Sequence, residues 1–358
     1  MKKVLLKAYM HNNLGDDLFV YMLLKRYKDN FYTYEYERNY TLSKFENLSY
    51  EKNGIENLID RCFSKFLKKY DYTELKNKKK YDLLVDIGGS LFIENGNYDF
   101  WKKRSLNYEK NYIPYYILGS NVGPWKNKEF PKLLENNIFK NAEDVCFRDK
   151  NSYDLYSHLP NIRYASDIVF SLGDYLNLNN NSEKVVLFSI IDLKYKGLDT
   201  EAYENKMVEM INYFQENNYK VKLMSFCKRE GDEKAIERIC NKINFADKLE
   251  KYFYNGNIEE AIDIINSSEI IVGSRLHSNI VGIALDKYII PIAYSKKTVN
   301  VLNGIGFKGK IFKADKISEL DIREVMNNIN LYKVDREKCN IDSEKQFEKL
   351  DLVLNRRK

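Results

Sequence analysis

The stretch "IIVGSRLHSNIVGIALDKYIIPIAY", Ile270 to Tyr294, sets an arginine and a histidine two residues apart in a chain that holds 3 histidines in all. Arg275 brings a planar fork of N–H donors that matches carboxylate or phosphate. His277 brings a group that gains and loses a proton near neutral pH. Both stand between an apolar run and a helix whose buried side would carry Ile280, Val281, Ala284 and Leu285. A helix N-terminus attracts anions and disfavours a cationic imidazole used merely as a cap. The pattern Ser274-Arg275-Leu276-His277 therefore reads as an anion-binding loop, in which Arg275 and His277 flank a ligand while Leu276 packs. A core histidine satisfied by backbone is the alternative reading.

Five other strand-end stretches carry groups to weigh. In "YMHNNLGDD" (Tyr9–Asp17) Gly15 permits close backbone approach, and Asp16 is read either as a helix cap, as Asp17 is, or as a group that polarises a hydroxyl. In "VDIGGSLF" (Val85–Phe92) Gly88 and Gly89 leave room for a ligand beside the backbone and match neither GxGxxG nor a P-loop. Arg148, after a short apolar strand in "VCFRDKNSYDLY", is placed for an anion clamp. Asp167 in "YASDIVFSL" reads as a structural cap, and "AYSKKT" offers Lys296 and Lys297 at another strand end. The two tryptophans, in "ENGNYDFWKKR" and "GSNVGPW", suit sugar rings but equally suit packing, and are not assigned to the site.

The elements that must position these loops alternate along the chain. Apolar runs at Lys3–Tyr9, Tyr81–Ser90, Tyr112–Ser120, Lys184–Ile190, Tyr219–Phe226, Glu269–Ser274 and Tyr288–Tyr294 are separated by helical stretches, one of them near Asp16–Tyr27. This rhythm predicts an α/β fold with parallel sheets covered on both faces. Ligands of such sheets bind beyond the carboxyl ends of the strands. A length of 358 residues exceeds one ordinary core. The polar, asparagine-rich "SLGDYLNLNNNSEK" then divides the chain into an N-terminal lobe (1–172), a linker (173–183) and a C-terminal lobe (184–332). A helical tail (333–358) closes it, with Phe347, Leu350 and Leu354 on one face.

Composition narrows the classes. Net charge is +6, from 58 basic and 52 acidic residues without a basic patch, which argues against nucleic acid and suits an anionic substrate or membrane face. Cys62, Cys146, Cys227, Cys240 and Cys339 show no metal-finger spacing, so reduced thiols in a cytoplasm are expected. No stretch approaches the roughly 20 apolar residues of a membrane span, and the first residues do not read as a signal peptide. No metal cluster is visible.

Taken together, the motifs resemble the polysaccharide pyruvyl transferase family. Asn13-Leu14-Gly15-Asp16, Asp86-Ile87-Gly88-Gly89, Arg148-Asp149 and Ser274-Arg275-Leu276-His277 follow the order of that family's elements, and Tyr294-Ser295-Lys296-Lys297 matches its tyrosine-x-x-lysine. Departures are one residue rather than two between Asp86 and the glycine pair, Ser274 directly beside Arg275, and alanine and serine where the family often has serine and proline. Spacing favours Lys297 over Lys296 as the donor-site lysine. The resemblance implies two Rossmann-like lobes facing a cleft, similar to GT-B glycosyltransferases. It also implies phosphoenolpyruvate as donor, with no metal or other cofactor, and a glycan or lipid-linked oligosaccharide as acceptor. The product would be a pyruvate ketal, made in the cytoplasm with peripheral contact at the inner membrane face. On that reading Arg148, Arg275 and Lys297 meet the donor's charges, Arg275 its carboxylate. Gly15, Gly88, Gly89, Ser274 and Leu276 also line the substrates, His277 is general acid, and Asp16 accepts a hydroxyl proton. A GT-B-like glycosyltransferase using a nucleotide sugar, and a catalytically silent family member, are the alternatives.

Overall fold

Among the described residues, seven strands of the first lobe and six of the second form two sheets whose strand pairs are all parallel. The structure is a computed structural model that describes residues 2–28, 30–33, 39–50, 80–94, 96–109, 113–176, 184–243 and 249–354. The first sheet contains β1 (Lys3–Lys7), β2 (Asn30–Thr33), β3 (Leu48–Tyr50), β4 (Leu83–Ile87), β5 (Tyr115–Ser120), β6 (Asp144–Phe147) and β7 (Ile162–Tyr164). Their spatial order is β3-β2-β1-β4-β5-β6-β7. The second contains β8 (Val185–Ile190), β9 (Lys220–Ser225), β10 (Glu250–Phe253), β11 (Ile270–Gly273), β12 (Tyr288–Ala293) and β13 (Phe312–Lys313), in the order β10-β9-β8-β11-β12-β13. Every residue of β4, β5, β8 and β11 is buried, which is why those runs are predominantly apolar instead of alternating.

Strand order reverses between β1 and β4 in one lobe and between β8 and β11 in the other, so ligand crevices open at those strand ends. The loops after β1, β4, β6, β11 and β12 are the ones that carry the candidate residues. This is a GT-B-like arrangement of two parallel-sheet α/β lobes around one cleft.

The lobes share an apolar core. Leu18 and Phe19 of the helix Leu14–Arg26, Ile168, Val169 and Leu172, and Ile280, Val281 and Ala284 of the helix Leu276–Ala284 belong to one buried cluster. Backbone bonds stitch the seam, with Leu14 N–H donating to the Phe226 carbonyl at 3.1 Å and Thr41 N–H to that of Gly256 at 3.1 Å. Beside it the buried Asp17 carboxylate accepts from the Tyr254 hydroxyl and from the Asn39 amide, both at 2.7 Å. Burial raises the Asp17 carboxyl to about 8, outweighing the hydrogen bonds from Tyr254 and Asn39 that favour the charged form.

Of residues 173–183, the part 177–183 lies outside the described residues. Gly173 to Tyr175 instead complete a helix, Ile168–Tyr175, and a Cβ on Gly173 would meet the Ala284 carbonyl and Arg336. The closing segment is broken into Arg336–Glu344, a turn at Lys345–Phe347 and Glu348–Asp351. It packs back on the first lobe through the fully buried Phe347, Leu350 and Leu354. Arg26 is held there by Glu344 at 2.9 Å and Asp351 at 2.5 Å. Cys146, Cys227, Cys240 and Cys339 are buried free thiols, and Cys62 lies outside the described residues. Among the described residues no helix is long and apolar enough to cross a membrane.

Candidate functional site

Helix starts decide where the first groups point. The N-cap of Leu14–Arg26 is Asn13, whose side chain accepts the Gly15 N–H at 3.2 Å, so neither Asp16 nor Asp17 serves as the cap. Asp16 is thereby left on the cleft wall. Burial raises its carboxyl, against the pull of His277 and Arg148. Gly15 does not line the cleft. A Cβ there would collide with the His277 imidazole, so what this glycine admits is a side chain from the other lobe.

The glycine pair behaves the same way. Gly88 has φ +154°, a conformation other residues rarely adopt, and Gly89 lies flat against the Arg148 guanidinium. Neither is part of the cleft lining, whereas Ser90 is.

Arg148 follows β6 and is 3% exposed. Its Nη2 donates to the Gly89 carbonyl at 3.1 Å and to Asn121 Oδ1 at 2.9 Å. Its Nη1 donates to Asp167 Oδ2 at 2.7 Å and lies 3.3 Å from His277 Nε2. Asp167 is fully buried, and its other oxygen accepts the Val169 N–H at 3.0 Å, the capping role expected of it. Burial works to raise its carboxyl. Arg148 and then His277 overcome that and hold it at about 2.

In the second lobe the helix begins at Leu276, so Arg275 is the last extended residue and His277 sits in the first turn. Asn279 Nδ2 closes the turn onto the carbonyls of Gly273 and Arg275 at 3.0 and 3.1 Å. The Arg275 fork does not face a ligand. Its Nε and Nη2 both donate to Asp232, and Nη1 donates to Glu230 at 2.7 Å. Asp232 in turn accepts the N–H groups of Phe226 at 3.0 Å and Cys227 at 2.9 Å. Burial opposes the charge on Arg275, and Asp232 and Glu230 secure it. The Ser274 hydroxyl is buried against the Tyr203 hydroxyl at 2.8 Å, outside the cleft lining. Of the two lysines after β12, Lys296 is exposed, while Lys297 lines the cleft and donates to Ser90 Oγ at 2.7 Å across the lobes.

Arg148, Arg275, Leu276, His277, Lys297 and Asp16 thus line one cleft of about 930 Å³. Sequence reasoning missed several of its other groups. Lys7, Lys103 and Arg104 bring further positive charge, and Asp86 and Glu230 negative charge. Lys103 and Arg104 lie inside the helix Tyr98–Glu109, where no strand end flags them. Six lining cations against three lining carboxylates favour an anionic ligand. Trp101 is core, 4% exposed, with its N–H on the Ile93 carbonyl at 2.9 Å. Among the described residues no group of three or more His, Cys, Asp or Glu side chains is placed to hold a metal ion.

Comparison with known proteins agrees with this architecture. The chain is 13% identical to Staphylococcus aureus MnaA, solved with UDP, with a TM-score of 0.64 and coverage of 99% of this chain and 97% of that one. It is 11% identical to the Neisseria meningitidis UDP-GlcNAc 2-epimerase bound to UDP-GlcNAc, TM-score 0.59, covering 98% and 99%. At such identity these likenesses speak for the fold alone. Among curated proteins it is 21% identical over 253 residues to the amylovoran biosynthesis protein AmsJ of Erwinia amylovora, covering 64% of this chain and 60% of that protein. The family model described as polysaccharide pyruvyl transferase matches residues 13–296, from the Asn13 cap to the helix that carries Lys297. The chain belongs to the polysaccharide pyruvyl transferase family.

Proposed function

We propose that the protein moves the pyruvyl group of phosphoenolpyruvate onto two hydroxyls of a sugar in a surface glycan or its lipid-linked precursor, leaving a pyruvate ketal. The observation that carries this reading is the meeting of Arg148, His277, Arg275 and Lys297, from loops far apart in the chain, on one cationic cleft. Family membership and the biosynthetic relative support it.

The donor carries a carboxylate and a phosphate on three carbons. Lys297 and Arg148 meet these charges directly. Arg275 keeps its fork on Asp232 and Glu230 and so fixes the loop that presents His277. His277 protonates the methylene carbon, drawing the enol double bond's electrons into the new C–H bond and leaving an oxocarbenium-like centre at the neighbouring carbon. One sugar hydroxyl attacks that centre, and Asp16 accepts its proton. Its raised carboxyl suits a base better than an ordinary aspartate. Cleavage of the carbon–oxygen bond to phosphate regenerates the cation, and the second hydroxyl closes the ring with loss of its proton. No cofactor enters this sequence.

A nucleotide-sugar glycosyltransferase would use the same fold and a similar cationic cleft. Thermal shift separates the two. Phosphoenolpyruvate should raise Tm and UDP- or GDP-sugars should not; the opposite pattern rejects the donor assignment.

A further inference from the structure

Around His277 the charged and titratable neighbours are Asp16 from the helix Leu14–Arg26, Arg148 from the loop after β6 and Asp167 beyond it. The edge of the Phe19 ring meets the imidazole at 5.4 Å between centroids, and Gly15 packs against its Nδ1 side. Arg148 Nη1 can only donate, and it lies 3.3 Å from Nε2. A hydrogen bond between them therefore has the Nε2 lone pair as acceptor, which leaves the ring proton on Nδ1.

The guanidinium cannot swing away by itself, because Nη2 is pinned to Gly89 and Asn121. The oxygen that fixes Nη1 is Asp167 Oδ2, at 2.7 Å. That same oxygen is 3.7 Å from Nε2. One carboxylate oxygen thus stands beside both the donor that blocks Nε2 and the nitrogen that is blocked.

We propose that Asp167 is the positioning residue of this site. Through Arg148 it keeps the Nε2 lone pair of His277 occupied and the ring proton on Nδ1, and it supports a proton on Nε2 once an anionic donor draws Arg148 Nη1 away. The inference rests on the donor reading above. When a phosphate or carboxylate oxygen accepts from Nη1, the Nε2 lone pair takes a proton from solvent, and Asp167 Oδ2 balances the new charge. That proton passes to the methylene carbon: the N–H bond breaks, its electron pair stays on Nε2, and a C–H bond forms. The site is charged with its catalytic proton only after the donor arrives, which limits idle loss of that proton to water.

Two measurements test this, and neither needs the acceptor. With 3 histidines in the chain, the imidazole nitrogens of 15N-labelled protein are resolved by NMR, and His277→Gln assigns the signal. At mildly alkaline pH the free protein should show His277 protonated on Nδ1 and bare on Nε2. Asp167→Asn keeps an oxygen for the Val169 N–H and removes the negative charge, and it should shift that tautomer balance. Calorimetry of phosphoenolpyruvate binding in buffers of different ionisation heat should then show uptake approaching about one proton per donor in the wild type. Uptake should fall severalfold in Asp167→Asn, a change that a purely structural cap would not produce. A resting Nε2–H tautomer overturns the proposal, and so does donor binding without proton uptake, or unchanged uptake in Asp167→Asn. Absence of any phosphoenolpyruvate binding overturns the donor assignment and the release step with it, while the NMR result decides the tautomer separately.

Discussion

Two buried arginines reach the same cleft from opposite lobes, each paired with a fully buried aspartate, and they are held in different ways. Arg275 gives two nitrogens to Asp232, whose carboxylate is anchored by two backbone N–H groups. Arg148 gives one nitrogen to Asp167 and presents that same nitrogen to His277. The first pair closes on itself. The second leaves its charge shared with a proton-carrying ring. A buried ion pair loses much of its attraction to desolvation, so pairing alone does not explain retention of either. On the proposed reaction, one pair is scaffold for the second lobe's loop and the other is poised for chemistry, although both sit in equally recognisable motifs.

Breaking the chemical pair should have the largest effect. Arg148→Gln should lower turnover about 10²–10³-fold through loss of a preorganised charge. It should also undo the low Asp167 value. In the wild type the stability contributed by ionised Asp167 is present above the ordinary carboxylate pKa and lost as pH falls through about 2. That acid transition should move upward in the variant, as carboxyl NMR would show. Breaking the scaffold pair should act on stability first. Asp232→Ala leaves the buried Arg275 with Glu230 alone and should cost up to about 3–5 kcal/mol in urea unfolding. If Asp232→Ala instead left stability untouched and abolished donor binding, the roles of the two pairs would be reversed.

A third buried aspartate sharpens the contrast. Asp17 has Tyr254 and Asn39 as partners but no cation, and its carboxyl lies at about 8. Its favourable contribution is complete below the ordinary carboxylate pKa and is lost as pH rises through about 8. The Tm of Asp17→Asn should gain on that of the wild type by several degrees over that rise. A constant difference across the range would contradict the assignment.

The fold was legible where strands are buried on both faces, since β4, β5, β8, β11 and β12 leave predominantly apolar runs. The edge strands β10 (Glu250–Phe253) and β13 (Phe312–Lys313) gave no such signal. One has no fully buried residue and the other spans two residues. Within the site, Arg275 and His277 declared themselves by strand-end position. Their partners did not: Asp232 lies 43 residues from Arg275 and Asp167 19 from Arg148. Nothing local marks an aspartate as the one that folding will bring to an arginine. The glycines were found but misread. A glycine at a strand end signals close approach, and sequence alone does not say whether a ligand or another side chain approaches. Gly15 and Gly89 make room for His277 and Arg148.

The most direct measurement is incubation of the protein with phosphoenolpyruvate and candidate sugar acceptors, reading phosphate release together with product mass. The account predicts stoichiometric release of phosphate with a sugar heavier by one ketal-linked pyruvate, and loss of both in His277→Ala by about 10²–10⁴-fold. A His277→Ala protein that still forms the ketal at near wild-type rate would contradict it.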